Sequence, residues 1–334
     1  MRSLPLITLY LTERCNSRCV TCDYWRTGRD HATLESVRRL LPGLERLGTR
    51  VALLSGGEPL LNPEWRAIAR ALTTRGIETW LLTSGLSLAK HAADVAANFR
   101  SVTVSLDGTT PATYRAIRGL DAFHVVCEGI RAAVRAEANV SLRVTVQRTN
   151  YRELPQFVRL ARGLGVAQVS FLAVDVANPH AFGRDSAFGD GLALRADDVA
   201  ELDGLLDSME QEFAAEFARG FIAESPGKLR RMRDYFAALL GLGAFPPVHC
   251  NAPEFSAVVG VHGQVSPCFF IAGPASAVVD TDPAAVLDAE PMRALRADIH
   301  AGRRPECARC VCSLWRDPAR PDHLLLAARA RECA

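Results

Sequence analysis

Three cysteines, Cys15, Cys19 and Cys22, fall within eight residues of a polar stretch, ERCNSRCVTCD at 13–23. Thiolates are soft ligands, and the C-x3-C-x2-C spacing lets three of them converge on one metal centre. Three ligands to a four-iron cubane leave one iron open to bind something else. A structural zinc site wants four ligands, and no fourth Cys or His is close by; His31 is the nearest His and fits poorly. Purely structural burial is the weaker reading for three Cys on a polar loop. A second constellation lies downstream: Cys250, Gly263-x4-Cys268 and Cys307-x2-Cys310. A four-thiolate set suits either an iron–sulfur cluster or zinc. Cys312 is surplus to it and would replace a ligand, line a pocket or do nothing. Cys127 sits in a helical pattern that reads as packing, and Cys333 beside the C-terminus reads as incidental.

Short apolar runs must position these loops. They occur at 6–11, 51–54, 78–82, 101–106, 140–146 and 167–172, each rich in Val, Leu or Ile as buried parallel strands are. Segments with helical spacing lie between them, such as Val37, Leu40, Leu41, Leu44 and Leu47. Six βα repeats predict a parallel α/β sheet. Periodicity alone leaves an open sheet and a partial barrel as alternatives. The stretch 175–196 has no clean period and reads as a long loop near the active face. Helical spacing returns from 198 to about 242. After Pro246-Pro247 come short strand-like pieces at 255–261 and 264–265, around a turn at His262-Gly263. The predicted organisation is 1–175, 176–247 as loop and helical linker, and 248–334 as a small metal-supported appendage with its tail.

Composition narrows the classes. Of 334 residues, 49% are hydrophobic and 23% charged, which excludes wholesale disorder. A net charge of +2 gives no reason to expect nucleic acid or an anionic membrane as partner. The start lacks a signal peptide's apolar h-region and cleavage site, and no stretch approaches the ~18 apolar residues of a membrane span. The expected location is therefore cytoplasmic and reducing. Ten Cys are not a disulfide framework there, which turns them toward metal ligation or catalysis.

The triad after the first strand resembles the signature of the radical S-adenosylmethionine (SAM) superfamily. That resemblance implies a partial (β/α)6 TIM-like barrel and a [4Fe–4S] cluster on Cys15, Cys19 and Cys22. SAM would bind the open iron and be cleaved to a 5′-deoxyadenosyl radical that abstracts a hydrogen atom. Ser55-Gly56-Gly57-Glu58-Pro59 follows the second strand and resembles the family's GGEP segment, which receives the methionine amino group. Glycine lets backbone approach closely, and a carboxylate suits an ammonium group. Thr83-Ser84-Gly85 stands where the family often has Thr-Asn-Gly. Ser105-Leu106-Asp107-Gly108 resembles the segment near the SAM ribose. The resemblance assigns Arg143 to the SAM carboxylate, and Leu172 and Tyr24 to adenine. The chain departs from the pattern at Thr21, where a large apolar residue usually precedes the third Cys.

Cys250-Asn251-Ala252-Pro253 followed by Gly263 to Cys268 resembles the opening of the SPASM auxiliary-cluster domain. The Cys count fits its shortened form, the twitch domain, in which Cys250, Cys268, Cys307 and Cys310 would hold one second [4Fe–4S] cluster. Enzymes of this kind dehydrogenate or epimerise small sugars, cyclitols and aminoglycoside-like compounds, or modify peptides. The first strand begins by residue 6, ahead of which no leader-gripping module fits, so a small substrate is expected. The implied reaction is oxidation of an alcohol to a ketone, with the auxiliary cluster taking the electron. An external one-electron reductant such as flavodoxin or ferredoxin would feed the SAM cluster. An epimerase would need a Cys hydrogen donor, Cys312 ahead of Cys127. Asp175, His180, Arg184 and Glu254 are the candidates for base and substrate contacts, drawn from the irregular stretch and the strand ends.

Overall fold

The structure, a computed structural model, describes residues 3–26, 28–178, 181–184, 191–312 and 314–317. Six parallel strands follow the predicted runs: β1 Leu6–Thr12, β2 Val51–Gly56, β3 Glu78–Thr83, β4 Ser101–Ser105, β5 Val140–Val146 and β6 Gln168–Ala173. Each pairs with its sequence neighbour in parallel register, for instance Leu9 with Leu54 and Val144 with Phe171. The crossovers carry α1 Leu34–Arg46, α2 Trp65–Thr73, α3 Leu88–Asn98, α4 Pro111–Arg118, α5 Phe123–Arg135 and α6 Leu154–Leu164. Parallel neighbours need such crossovers, and their right-handed return places helices on one face of the sheet. The result is the partial TIM-like barrel that the resemblance implies.

Local chemistry starts and stops the helices. Thr33 and Ser36 form a reciprocal capping box on α1, with both bonds near 3.0 Å. Thr110 caps α4 ahead of Pro111, and α4 stops at Gly119, whose φ is +73°. Trp65, Tyr114, Tyr151 and Phe157 are the largest side chains fully buried between helices and strands of the barrel.

The two faces of the sheet differ in chemistry. Alternate strand residues such as Ile7, Leu54, Leu81, Val104, Val144 and Phe171 are buried against the helices. The other row carries hydroxyls. Register aligns Thr8 with Leu53, Tyr10 with Ser55, Thr103 with Ser141, and Ser105 with Arg143 and then Ser170. This row lines the concave side, which is therefore polar.

Both edges of the six-strand sheet are covered. Beyond α7 Ala196–Glu212 and α8 Ala214–Ala218, the chain bridges to β6 at Val169 and Ile222, with hydrogen bonds of 2.8 and 2.9 Å. Buried Glu224 then accepts the Ser170 hydroxyl and the Phe171 N–H. After α9 Pro226–Leu239 and α10 Ala252–Phe255, strand β7 Ser256–Val259 pairs in parallel with β1, and β8 Val265–Ser266 folds back on β7. The C-terminal segment thus continues the barrel sheet instead of standing apart with a sheet of its own. It ends with α11 Pro283–Asp288, α12 Glu290–His300 and α13 Pro305–Ala308. Among the described residues no helix is long and apolar enough to cross a membrane.

Candidate active site

The triad loop leaves β1 and is held along its length. Leaving a helix, α4 has carbonyls that no later turn satisfies. Ile117 O and Arg118 O accept the N–H groups of Val20 and Arg18 at 2.9 and 3.0 Å. Gly119 lies so close beneath the loop that a Cβ there would stand 2.4 Å from Arg18 O. On the other side, Thr12 O and Arg14 O accept from Gly57 and Glu58 at 2.7 and 2.8 Å. A Cβ on Gly57 would meet Arg14 O at 2.1 Å, so that position requires glycine.

Cys15 stands close enough to Cys19 to feel its charge, and Cys22 feels both. Burial pushes the Cys15 thiol up to about 11 and the Cys22 thiol up to about 12. A bound cationic centre would reverse that preference and hold thiolates. Donors already face two sulfurs: Ser17 N–H points at Cys15 Sγ at 3.4 Å, and the Arg118 guanidinium at Cys19 Sγ at 3.3 Å. A single tetrahedral zinc with bonds of about 2.3 Å would draw its sulfurs to within about 4 Å of one another. Among the described residues, the group of three ligand-type side chains whose atoms all lie within 4.8 Å is Glu13, Asp30 and His262, not a set of thiols. The triad's three thiolates suit a cluster that keeps one iron open. The exposed group instead straps the β7–β8 turn to the start of the triad loop, His262 Nε2 lying 3.5 Å from Glu13 and 3.4 Å from Asp30.

The GGEP segment has a more internal role than expected. Glu58 is fully buried. Its Oε1 accepts from Thr83 Oγ1 at 2.8 Å and from Leu60 N, and its Oε2 accepts from Ser84 N at 2.7 Å. Burial raises its pKa, and these bonds act in the opposite direction. The carboxylate expected to meet an ammonium group therefore ties the end of β2 to the end of β3. Pro59 opens the short 3-10 turn that Glu58 caps. Close backbone approach at Gly56 and Gly57 remains as the segment's contribution. Ser84 Oγ reaches Asn16 in the triad loop at 3.2 Å, while Ser55 is buried opposite Tyr10.

Asp107 is likewise engaged inside the fold. Its carboxylate pairs with Arg118 Nε at 2.8 Å and accepts Thr145 N at 2.7 Å. Asn150 anchors the same turn by donating to Asp107 O and Thr145 O. Ser105 and Arg143 sit side by side on the polar row, and Leu172 follows on it opposite Thr145. The buried Nε of Arg143 has no hydrogen-bond partner among the described residues, which suits a carboxylate ligand.

Tyr10 and Tyr24 meet edge to face at 5.7 Å, and Phe269, the residue after Cys268, lies 6.5 Å from Tyr10. Burial raises the Tyr10 pKa, and both Cys22 and Cys268 add to that. One ring thus touches neighbours of both cysteine sets, Tyr24 after Cys22 and Phe269 after Cys268. In the second set Cys268 and Cys307 feel Cys250, and Cys310 feels Cys268, Cys250 and Cys312. Cys312 faces toward Arg143 and Lys228, which lower its pKa against the burial that raises it. Cys127 is buried inside α5, in agreement with a packing role.

The catalytic candidates from the irregular stretch need correction. Asp175 is buried and its carboxylate accepts from Ala177 N, Asn178 N and the Asn178 amide. Arg184 is buried and donates to Ala181 O and Asp175 O, both at 2.8 Å. Both build the loop rather than offering a free polar group to substrate, because a buried segment must satisfy its own backbone. That loop does reach the active face: Phe182 O accepts Asp23 N at 3.0 Å, and Gly183 packs on Tyr24. Glu254 is exposed on α10. His180 and Cys333 lie outside the described residues.

Residues 9–161 match the family model for the radical SAM superfamily. The chain carries a radical SAM domain. A [4Fe–4S] cluster and SAM are implied by that family, and the triad fits the first by donor chemistry. Curated relatives include a GTP 3',8-cyclase of Rhodopseudomonas palustris, 35% identical over 176 residues, which are 49% of this chain and 51% of the relative. An AdoMet-dependent heme synthase of Methanosarcina barkeri is 31% identical over 166 residues, 48% of each chain. The chain thus spans about half the length of the curated relatives it matches. Streptococcus suis SuiB bound to S-adenosylmethionine shares the fold at a TM-score of 0.66 and 13% identity, over 88% of this chain and 68% of SuiB. The protein anSMEcpe with AdoMet and the Kp18Cys peptide superposes at 0.64 with 16% identity, over 92% and 89%.

Arg118, Tyr10, Asn16, Asn150 and Phe269 are site residues that sequence reasoning missed. Arg118 follows the Ser105–Gly108 segment by about one helix, but its partner Cys19 is 99 positions away. No local pattern signals such a contact.

Proposed function

We propose that the protein is a radical SAM enzyme with one auxiliary [4Fe–4S] cluster, acting on a small polar substrate. Its organisation would be a barrel over 1–175, a linker over 176–247 and a twitch-type segment from 248. The observation that carries this reading is Tyr10, whose ring meets Tyr24, two residues after Cys22, at 5.7 Å and Phe269, the residue after Cys268, at 6.5 Å. Two thiol sets joined through one group of rings suit a reaction in which hydrogen leaves a substrate on one side and an electron leaves on the other. When bound, SAM and its cluster supply hydrogen-atom abstraction, and a second cluster supplies an electron acceptor.

The chain's own part is binding and exclusion. Ser105 and Thr145 on the polar row would give hydroxyl partners for a sugar, cyclitol or aminoglycoside-like alcohol, and Arg143 offers a cation. Tyr24, in edge-to-face contact with Tyr10, is the aromatic residue beside the triad that an adenine would meet. Oxidation to a ketone also needs an acceptor for the hydroxyl proton. Asp175 is engaged with its own loop, so His180→Gln is the variant that tests this role. Epimerisation is the second reading, supported by Cys312, which burial keeps as a thiol near Arg143. A peptide substrate is the third, supported by the shared fold with SuiB bound to precursor peptide SuiA. The electron would come from flavodoxin or ferredoxin.

The deciding experiment is iron and labile sulfide per chain after anaerobic reconstitution. About eight irons, falling to about four in the Cys15/Cys19/Cys22→Ala variant, is the expected result for two clusters. About four falling to none removes the electron acceptor and overturns the oxidative reading. Release of 5′-deoxyadenosine with a panel of polyols, set against a panel of peptides, then separates the substrate classes.

A further inference from the structure

Among the triad sulfurs, that of Cys19 receives a charged donor. Arg118, at the last position of α4, is only 9% exposed. Its NH1 lies 3.3 Å from Cys19 Sγ and its Nε lies 2.8 Å from Asp107 Oδ2. Cys15 receives a backbone N–H from Ser17, and Cys22 one from Tyr24. Arg118 is anchored through its main chain and through its ion-pair partner. Its own carbonyl accepts the Arg18 N–H from the triad loop, and its partner Asp107 is fixed by Thr145 N and by Asn150 through the backbone.

We propose that Arg118 is a positioning residue that tunes the triad's cluster, by aiming a buried cationic donor at the Cys19 sulfur with Asp107 moderating its charge. This rests on the radical SAM reading of the triad. Reduction adds one electron to a cluster, and hydrogen bonds to its sulfurs together with nearby charge set how readily that happens. A donor on Cys19 stabilises the reduced form. Asp107 offsets part of the cation, so the two side chains push the equilibrium in opposite directions. A lysine could keep the charge but not the fork that reaches Asp107 and Cys19 together.

The test is a potentiometric titration of the reconstituted full chain without SAM, followed by electron paramagnetic resonance. Wild type is compared with Arg118→Met, Arg118→Lys, Asp107→Asn and the double Arg118→Met/Asp107→Asn, each with its iron content measured. At one fixed potential, Arg118→Met is expected to show a reduced-to-oxidised ratio about tenfold lower, which is about 59 mV for one electron, and the double variant a smaller fall, because it also removes the opposing carboxylate. Arg118→Lys should fall between Arg118→Met and wild type. Asp107→Asn should move the ratio the other way, a sign that loss of structure alone would not give. The double variant leaves no unpaired buried carboxylate, so it guards against a failure to fold. Equal ratios in all iron-loaded variants would overturn the proposal. So would loss of the fold or of iron in every Arg118 variant, which would assign the residue to stability alone. Wild type that takes up no iron at the triad would instead sink the cluster reading itself.

Discussion

The two cysteine sets are joined through the Tyr24, Tyr10 and Phe269 rings but are built in different ways. Cys15, Cys19 and Cys22 occupy a loop between a barrel strand and a helix end, and backbone bonds from α4 and from the Gly56–Glu58 turn hold it on both sides. Their geometry is set by a hydrophobic core that exists without any metal. Cys250, Cys268, Cys307 and Cys310 sit on an irregular run supported by the two-residue β8 and the four-residue α10 and α13. Cys250 is exposed. The segment buries Val259, Val265, Leu287 and Met292 in the common core, but the irregular turns that bear the thiols are not themselves sheet or long helix, so the order of those turns should depend on what the thiols bind. The first set is positioned for chemistry by the fold, whereas the second is expected to fold with its ligand.

Several changes would break or sharpen that contrast. Replacing Cys15, Cys19 and Cys22 by Ala should abolish reductive SAM cleavage, read as loss of 5′-deoxyadenosine, while the circular dichroism of the barrel stays. Collapse of the barrel in that variant would mean the triad is structural after all. Next in size, Gly57→Ala forces a Cβ to 2.1 Å from Arg14 O, so the exit of β2 cannot keep its place. A variant with wild-type melting temperature and iron content would contradict the close approach.

Removing the second set's ligands should act more locally. Cys268→Ala with Cys310→Ala is expected to lose about four irons and to raise hydrogen exchange over 250–312, leaving β2 to β5 protected. Equal deprotection of both regions would erase the distinction. Gly119→Ala keeps every thiol but strains a residue at φ +73° under the triad loop, at a cost of about 1–3 kcal/mol. Denaturant unfolding of the apo-protein would measure it.

The smallest expected effect is on pH. Burial raises Cys15 from the ordinary 9.0 to about 11 and Cys22 to about 12. A raised folded-state value contributes stability that is present below pH 9 and is lost as pH climbs toward 11–12, because the unfolded chain releases those protons first. The melting temperature of the apo-protein should therefore fall more steeply above pH 9 than that of the triple Ala variant. Parallel curves would show that the triad thiols are solvated.

Much of this was legible from residues alone, and its limits have a physical origin. The apolar runs at 51–54 and 140–146 stand as β2 and β5 with boundaries shifted by two residues at most, because burial on a strand leaves a local pattern. The triad's position after β1 was equally legible, since ligand spacing within eight residues is a local property. Asp175 and Arg184 read as substrate contacts because polarity in a loop signals function and backbone repair alike. The bonds to Ala177, Asn178 and Ala181 distinguish these only in three dimensions.

The sequence by itself determined the six βα units, the three thiols that follow the first strand and the second thiol group. These depend on neighbours a few residues apart. Tertiary structure alone decided that β7 pairs with β1, so that Phe269, next to Cys268, comes within 6.5 Å of Tyr10. It also decided that Glu58 and Asp107 serve as internal ties, and that Arg118 faces a sulfur 99 residues away. Those contacts follow from how the sheet curves and closes its edges, and chain separation leaves no trace of them in any local period.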